Sequence, residues 1–482
     1  MKHLPAAVLL LCILPLAVGA QPTAEVDRIV RQVAQEAGMK HATLSVSVYS
    51  ANSGQRLYGY EDQRSVTPAS VEKLFTTGAG FAQLGAGHRF TTRLAMRGEP
   101  DRDGVLHGNL YIIGDGDPLL GSYRFRQTTP DTLFAQWISA LRKRGVRRVD
   151  GRIYFHTRVF DDLPLHDSWQ WGDVGNYYGA GVYGLNFHEN MYFVHFDAGA
   201  AVGDPARVVR TNPRNIELVE SCTVTTGAAN SGDCVVVYGG PTSTRRLYTG
   251  TVPQGKRDFA VRAALPDPAR TCADLFASYL RTHGIGISHN AEPCLALPDS
   301  LRTVMDYHST PFRTLAQYTN HTSNNIYAES IFKYLGYKRH NNGSYAGGSR
   351  AVMDHFRELH LDTGGVHIVD GSGLSRLDRV TTDFIGRYLA AVAGEAWFDD
   401  YLASLSKAGE SGTARHLLPS LPQGVTVRVK TGSMDGVKAL AGYIDTGSER
   451  LAFAIVSNGH ECSGSEATSM LAGILQTIAT AY

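Results

Sequence analysis

The sequence predicts an α/β fold whose main domain is split by a long β-rich block. Three observations predict it. Alternating apolar strands stand near both ends of the chain, at residues 42–50 and 56–60 and again at 425–430, 439–445 and 451–457. Helical periodicity follows Ser70 and returns strongly from Pro311 onward. Between them, residues 191–300 read mostly as short strands separated by Gly, Pro and Ser turns. At 482 residues the chain exceeds one ordinary core, so two or three domains are expected.

Taken in order, Met1-Lys2-His3, an apolar run from Pro5 to Leu16 and the small residues Ala17-Val18-Gly19-Ala20 describe a secretory signal peptide, residues 1–20, cleaved after Ala20. The run is too short for a membrane span, and no later segment reaches spanning length. Residues 24–37 carry helical periodicity, and the turn at Ser53-Gly54 makes a hairpin of 42–50 and 56–60. A helix from Ser70 stops at Gly85. Phe90–Met96 and Val105–Ile113 form a further hairpin, closed by the turn Gly114-Asp115-Gly116-Asp117-Pro118, whose aspartates are turn formers rather than metal ligands. Thr129-Pro130 opens a helix. The stretch Trp169–Asn190, rich in Trp, Tyr, Gly and Asn, reads as loop packing, with sugar or peptide binding as the alternative. Helices follow at 269–283, 311–318, 326–337, 349–360, 383–393 and 467–482.

Composition narrows the function. Lys and Arg number 46 against 45 Asp and Glu, so no basic field argues for nucleic acid. The local run Arg142–Arg148 is a solvated helix end. His355 and His360 are spaced wrongly for a His-Glu-x-x-His zinc motif and are expected at the surface. Neither a Gly-x-Ser-x-Gly elbow nor a Walker loop occurs, and neither metal nor cofactor is expected. In an exported chain, Cys222 with Cys234 and Cys272 with Cys294 suit two loop-closing disulfides, leaving Cys462 unpaired.

The chemistry gathers in three motifs. Ser70-x-x-Lys73 places a hydroxyl and an amine on one helix face, with Thr67 as N-cap and Pro68 at the first helical position. Ser323-Asn324-Asn325 and Lys430-Thr431-Gly432-Ser433 follow in that order, and Lys-Thr-Gly occurs once. A serine hydroxyl needs activation at neutral pH. Lys73 can supply it if burial and a nearby cation, for which Lys430 is the candidate, lower its pKa. Ser323 then relays a proton and Asn325 fixes the lysine and meets the substrate amide. Strand alternation turns Lys430 away from the apolar face of Val425, Val427 and Val429. Lys430 and Thr431 suit a substrate carboxylate. Gly432 permits close backbone approach, and the N–H groups of Ser70 and Ser433 suit an oxyanion. The decoy Ser404-x-x-Lys407 follows the second motif and so falls out of order.

The ordered set resembles the active-site signature of penicillin-binding proteins and serine β-lactamases. With Gly114–Pro118, Ser323–Glu329, Asp370-Gly371-Ser372-Gly373-Leu374-Ser375-Arg376 and Gly409-Glu410-Ser411-Gly412-Thr413, and with the long gap between first and second motifs, the chain is similar to the class C low-molecular-mass penicillin-binding proteins. These are the D-alanyl-D-alanine carboxypeptidase/endopeptidases of the penicillin-binding protein 4 type. The family often has Thr where Ser433 stands. The resemblance implies a penicillin-recognising (β-lactamase/transpeptidase-like) domain with a central antiparallel sheet and helices, at 21–86 and 301–482. It also implies two nested inserted domains: a mostly β one at 87–118 and 196–300, and an α/β one at 119–195. It assigns the Asp370–Arg376 loop to shaping the cleft. The expected activity is a periplasmic serine carboxypeptidase or endopeptidase acting on peptidoglycan peptides through an acyl-enzyme on Ser70, with β-lactams as inhibitors. A β-lactamase and a non-catalytic wall-binding sensor are the rival readings. The balance of carboxypeptidase to endopeptidase activity, peripheral membrane contact and the oligomeric state stay open.

Overall fold

The computed structural model describes residues 21–214 and 216–482, so the expected signal peptide lies outside the described residues. The two ends of the chain build one six-stranded antiparallel sheet, in the order Ser406–Lys407, Thr426–Met434, Val437–Asp445, Arg450–Asn458, Thr43–Ser50 and Arg56–Tyr60. Val46 pairs with Ile455 and Val48 with Phe453, so the N-terminal hairpin is completed only by strands from the far end of the chain. One face is covered by the helices Gln21–Gln35 and Gly464–Ala481, which close over Val46, Val427, Val429 and Ile455. The other carries Lys73–Leu84, Phe312–Thr322, Asn325–His340, Tyr345–Glu358 and Thr382–Val392, around Phe75, Phe356, Phe384 and Tyr388.

The insertion leaves after Leu84 and returns beside its exit. The Phe312 N–H bonds the His88 carbonyl at 2.8 Å, and the Phe90 N–H bonds Ser309 Oγ at 3.0 Å. Its internal partition differs from the expected one. Strand Ile153–His156, expected in an innermost unit at 119–195, joins Thr91–Met96, Leu110–Ile113, Glu292–Pro293 and Arg302–His308 in a five-stranded sheet, and helix Pro130–Lys143, expected in the same innermost unit, packs on that sheet's core. Helix Pro268–Thr282 packs into the same core. The physical reason is a crossover. Leu110–Ile113 and Ile153–His156 run parallel, and parallel neighbours need a long connection, here the helix between them. This outer inserted unit is α/β. The inner one is the β unit, with a three-stranded sheet of Met191–Asp197, Arg207–Asn212 and Phe259–Ala264 packed on a four-stranded sheet around Phe196, Val237 and Tyr248.

The cysteines also depart from expectation. Cys222, Cys234, Cys272, Cys294 and Cys462 are all free thiols. Tyr248 on strand Arg245–Pro253 pairs with Cys222 on one side and Val237 on the other. Cys222 and Cys234 therefore sit on strands flanking a third, roughly two strand spacings or about 10 Å apart, beyond disulfide reach. Cys272 is buried in the outer unit's core, whereas the Cys294 thiol turns to the Ala296 carbonyl at 3.0 Å. His355 corrects another expectation, being 1% exposed among Tyr388 and Phe356, while His360 is at the surface. Among the described residues no helix is long and apolar enough to cross a membrane.

Candidate active site

Ser70 sits at a sharper bend than a plain helix start. Residues Ala69–Glu72 form a 3₁₀ turn, and the α-helix begins at Lys73. Ala69 has φ +47°, a left-handed conformation uncommon for a residue with a Cβ. Thr67 is not the cap. Its backbone N–H and carbonyl pair with the Asn458 amide at 2.7 and 3.2 Å, which fastens the turn to the central sheet.

The second motif is a hinge between two helices. Ser323, at φ +52°, ends Phe312–Thr322, and the Asn324 side chain caps Asn325–His340 by accepting from the Tyr327 N–H at 3.1 Å. Ser323 and Asn325 thus reach the site from a helix junction, with Asn324 supplying local structure. The third motif lies on strand Thr426–Met434. Val427 and Val429 enter the apolar layer beneath the sheet, and Lys430 turns the other way, as alternation requires.

The structure brings the three motifs together. Lys73 Nζ donates to Ser70 Oγ at 3.0 Å, to Asn325 Oδ1 at 2.7 Å and to the Ser372 carbonyl at 2.7 Å. All three ammonium donors are therefore used. Lys430 Nζ donates to Ser323 Oγ at 2.9 Å and to the Thr431 carbonyl at 2.7 Å. Both lysines are fully buried. Thr431 Oγ1 donates to Thr413 Oγ1 at 2.7 Å, and Ser433 Oγ accepts from Lys438 Nζ at 2.6 Å. Gly432 faces inward: a Cβ there would lie 2.8 Å from the Pro68 carbonyl oxygen and 3.2 Å from the Ser70 nitrogen. Its close approach is to the turn that carries Ser70.

Burial pushes the Lys73 amine down to about 8, against the opposing pull of Glu329, Asp370 and Glu72. Lys430 is itself pushed well below its ordinary range, by burial first and then by the charge on Lys73. Desolvation is therefore the main lever on Lys73, a role that sequence reasoning shared with a Lys430 cation. Glu72, fully buried with neither carboxylate oxygen hydrogen-bonded, is raised well above the carboxylate range by burial, with Asp370 and Glu329 adding to it.

Ser70, Ser323, Asn325 and Ser433 open onto one cleft of about 730 Å³, which Tyr178 and Arg376 also line. Two contributors escaped the sequence reading. Tyr178 comes from the Trp169–Asn190 stretch assigned to loop packing; its carbonyl accepts from Asn325 Nδ2 at 2.8 Å, and its aromatic richness was the available signal. Ser372 contributes a backbone carbonyl, which no side-chain motif announces. The decoy Ser404 is buried against Asn320, and Lys407 pairs with Glu410.

A model of the D-Ala-D-Ala carboxypeptidase 3 (S13) family matches residues 25–479. A D-alanyl-D-alanine carboxypeptidase of Actinomadura sp. (strain R39) is 30% identical over 466 residues, spanning 92% of this chain and 82% of the relative. The crystal structure of penicillin-binding protein 4 from Haemophilus influenzae superposes with a TM-score of 0.79 at 23% identity, covering 94% of this chain and 98% of the other. The same protein in complex with a β-lactam gives a TM-score of 0.74 at 22% identity, with the same coverage.

Proposed function

The chain belongs to the D-Ala-D-Ala carboxypeptidase 3 (S13) family, and from that premise we propose that it cleaves peptidoglycan stem peptides through an acyl-enzyme on Ser70. It is a serine-type D-Ala-D-Ala carboxypeptidase of the penicillin-binding protein 4 type. The observation that carries the Ser70 reading is the 3.0 Å contact between Ser70 Oγ and a buried Lys73, with Asn325 beside it and the Lys430–Ser323 pair across the site.

The geometry supports a definite order of events. As the free amine, Lys73 takes the Ser70 proton while Ser70 Oγ bonds the carbonyl carbon of the penultimate D-alanine. The N–H groups of Ser70 and Ser433 hold the resulting oxyanion, and losing one such donor costs about 3–4 kcal/mol of transition-state stabilisation. Ser323 passes a proton to the departing amine of the terminal D-alanine and is reprotonated from Lys73, which thereby returns to the free amine. Lys430 and Thr431 attract the substrate's terminal carboxylate. Gly432 keeps the strand close to the nucleophile turn. Water then attacks the acyl-enzyme with Lys73 again as base. The same cleft takes the D,D-crosslink between two stem peptides, which makes the enzyme an endopeptidase as well. β-Lactams acylate Ser70 in place of the peptide, in keeping with the β-lactam complex of the Haemophilus influenzae protein. The enzyme works outside the cytoplasm, in the periplasm, after removal of residues 1–20.

A fluorescent penicillin tests the core of this reading. Wild-type protein is expected to be labelled and to release D-alanine from a pentapeptide, and Ser70→Ala to do neither. Equal labelling of the two proteins would refute it. Product analysis on crosslinked muropeptides tests the endopeptidase arm.

A further inference from the structure

Two of the three groups that hold Lys73 are themselves held by one segment of the insertion. The Ser372 carbonyl belongs to a buried loop built around a single carboxylate. Asp370 Oδ1 accepts from the N–H groups of Ser372 and Gly373 at 3.1 and 2.7 Å, and Oδ2 accepts from the Ser375 N–H at 2.7 Å. A carboxylate offers about four lone-pair sites, and the fourth partner is the indole N–H of Trp169, at 2.8 Å. Beside it the hydroxyls of Ser168 and Ser375 lie 2.6 Å apart. Trp169 is 7% exposed, with its ring in the helical core of the split domain. Gly373 turns the loop at φ +74°, and a Cβ there would overlap the Ala69 carbonyl oxygen, so the loop lies directly against the nucleophile turn. Further along the same segment, the Tyr178 carbonyl takes Asn325 Nδ2, which leaves Asn325 Oδ1 facing Lys73.

We propose that the segment Ser168–Tyr178 of the insertion positions the catalytic base, Trp169 acting through Asp370 and the Ser372 carbonyl, and the Tyr178 backbone through Asn325. The inference rests on Lys73 being the base of Ser70. It gives the insertion a part in the chemical step, beyond walling the cleft. Trp169 is a positioning residue, since it touches neither Ser70 nor Lys73. Near-attack geometry is sensitive enough that a loosened shell of this kind costs rate while binding stays intact.

The test uses the full-length protein with Trp169→Phe, which keeps an aromatic ring and removes the donor. Expected is a fall of about tenfold or more in kcat on a D-Ala-D-Ala-terminated peptide, with KM little changed and penicillin acylation slowed in parallel. The acid limb of the acylation profile is expected to move to higher pH, because a loosened loop admits water to Lys73 and relieves the burial that depresses it. The titratable groups facing Lys73, namely Glu72, Glu329, Asp370 and Lys430, are retained in this variant. Ser168→Ala guards against a variant that does not fold, and is expected to give a smaller loss of about threefold, the scale of one net hydrogen bond. Leu295→Ala, in the insertion but outside this segment and 70% exposed, is expected to leave kinetics unchanged. Folded Trp169→Phe and Ser168→Ala proteins with wild-type kcat and an unmoved acid limb would overturn the proposal while leaving Ser70 acylation standing. A wild type that penicillin does not acylate at Ser70 would overturn both.

Discussion

Lys73 owes the availability of its uncharged amine to being out of water. Its amine is pushed down to about 8, and only the uncharged form can take a proton from Ser70. Acylation by penicillin is therefore expected to rise as pH rises through about 8, the ammonium below that value being inert as a base. Lys73→Arg, always charged, should abolish that step and slow acylation by at least about a hundredfold, the lower range of general-base contributions. Stopped-flow acylation rates across pH check both. Gly432 makes a different residue-scale claim. A methyl group there meets backbone at the Pro68 carbonyl, which cannot swing aside. Gly432→Ala should cost about 1–3 kcal/mol of stability as overpacking and slow acylation by about tenfold or more through displacement of the Ser70 turn. Melting temperature and penicillin labelling rates report the two effects.

At the scale of elements, the middle residue of the second motif separates structure from chemistry. Asn324 caps helix Asn325–His340 and makes no hydrogen bond to Lys73 or Ser70. Asn324→Ala should destabilise the protein by about 1 kcal/mol, as a lost N-cap does, with kcat reduced far less than in Asn325→Ala. Chemical denaturation alongside kinetics distinguishes these outcomes. The elements flanking the site were largely legible in the sequence. The hairpin at 42–60, the Gly85 stop and the C-terminal strands follow from period and turn chemistry and stand close to where the structure has them. The 3₁₀ turn at Ala69–Glu72 and the left-handed Ser323 were not legible, because tertiary contacts impose both conformations against local preference.

For the whole molecule, pairing decides what spacing alone cannot. Cys222 and Cys234 look like a loop-closing pair in the sequence, yet a strand runs between them. Native protein treated with an alkylating reagent should react at the exposed Cys222 and Cys234 and leave buried Cys272 unmodified until unfolded. Mass mapping of the labelled peptides checks this. The insertion gives the same lesson. A period can mark Pro130–Lys143 as a helix, but only the parallel ladder between Leu110–Ile113 and Ile153–His156 says that this helix is a crossover within the outer unit.

By itself the sequence determined the three ordered motifs, the split domain they imply and the side chains proposed to carry the chemistry, because candidates for nucleophile, base and carboxylate binder are set by residue type. Tertiary structure alone decided how those side chains are tuned. Burial depth sets the Lys73 amine, a backbone carbonyl at Ser372 completes its shell, and an indole N–H from the insertion fastens the loop that presents that carbonyl. Desolvation and backbone contacts arise from packing between residues far apart in the chain. A motif names Lys73, and the fold around it buries that amine and gives it its partners.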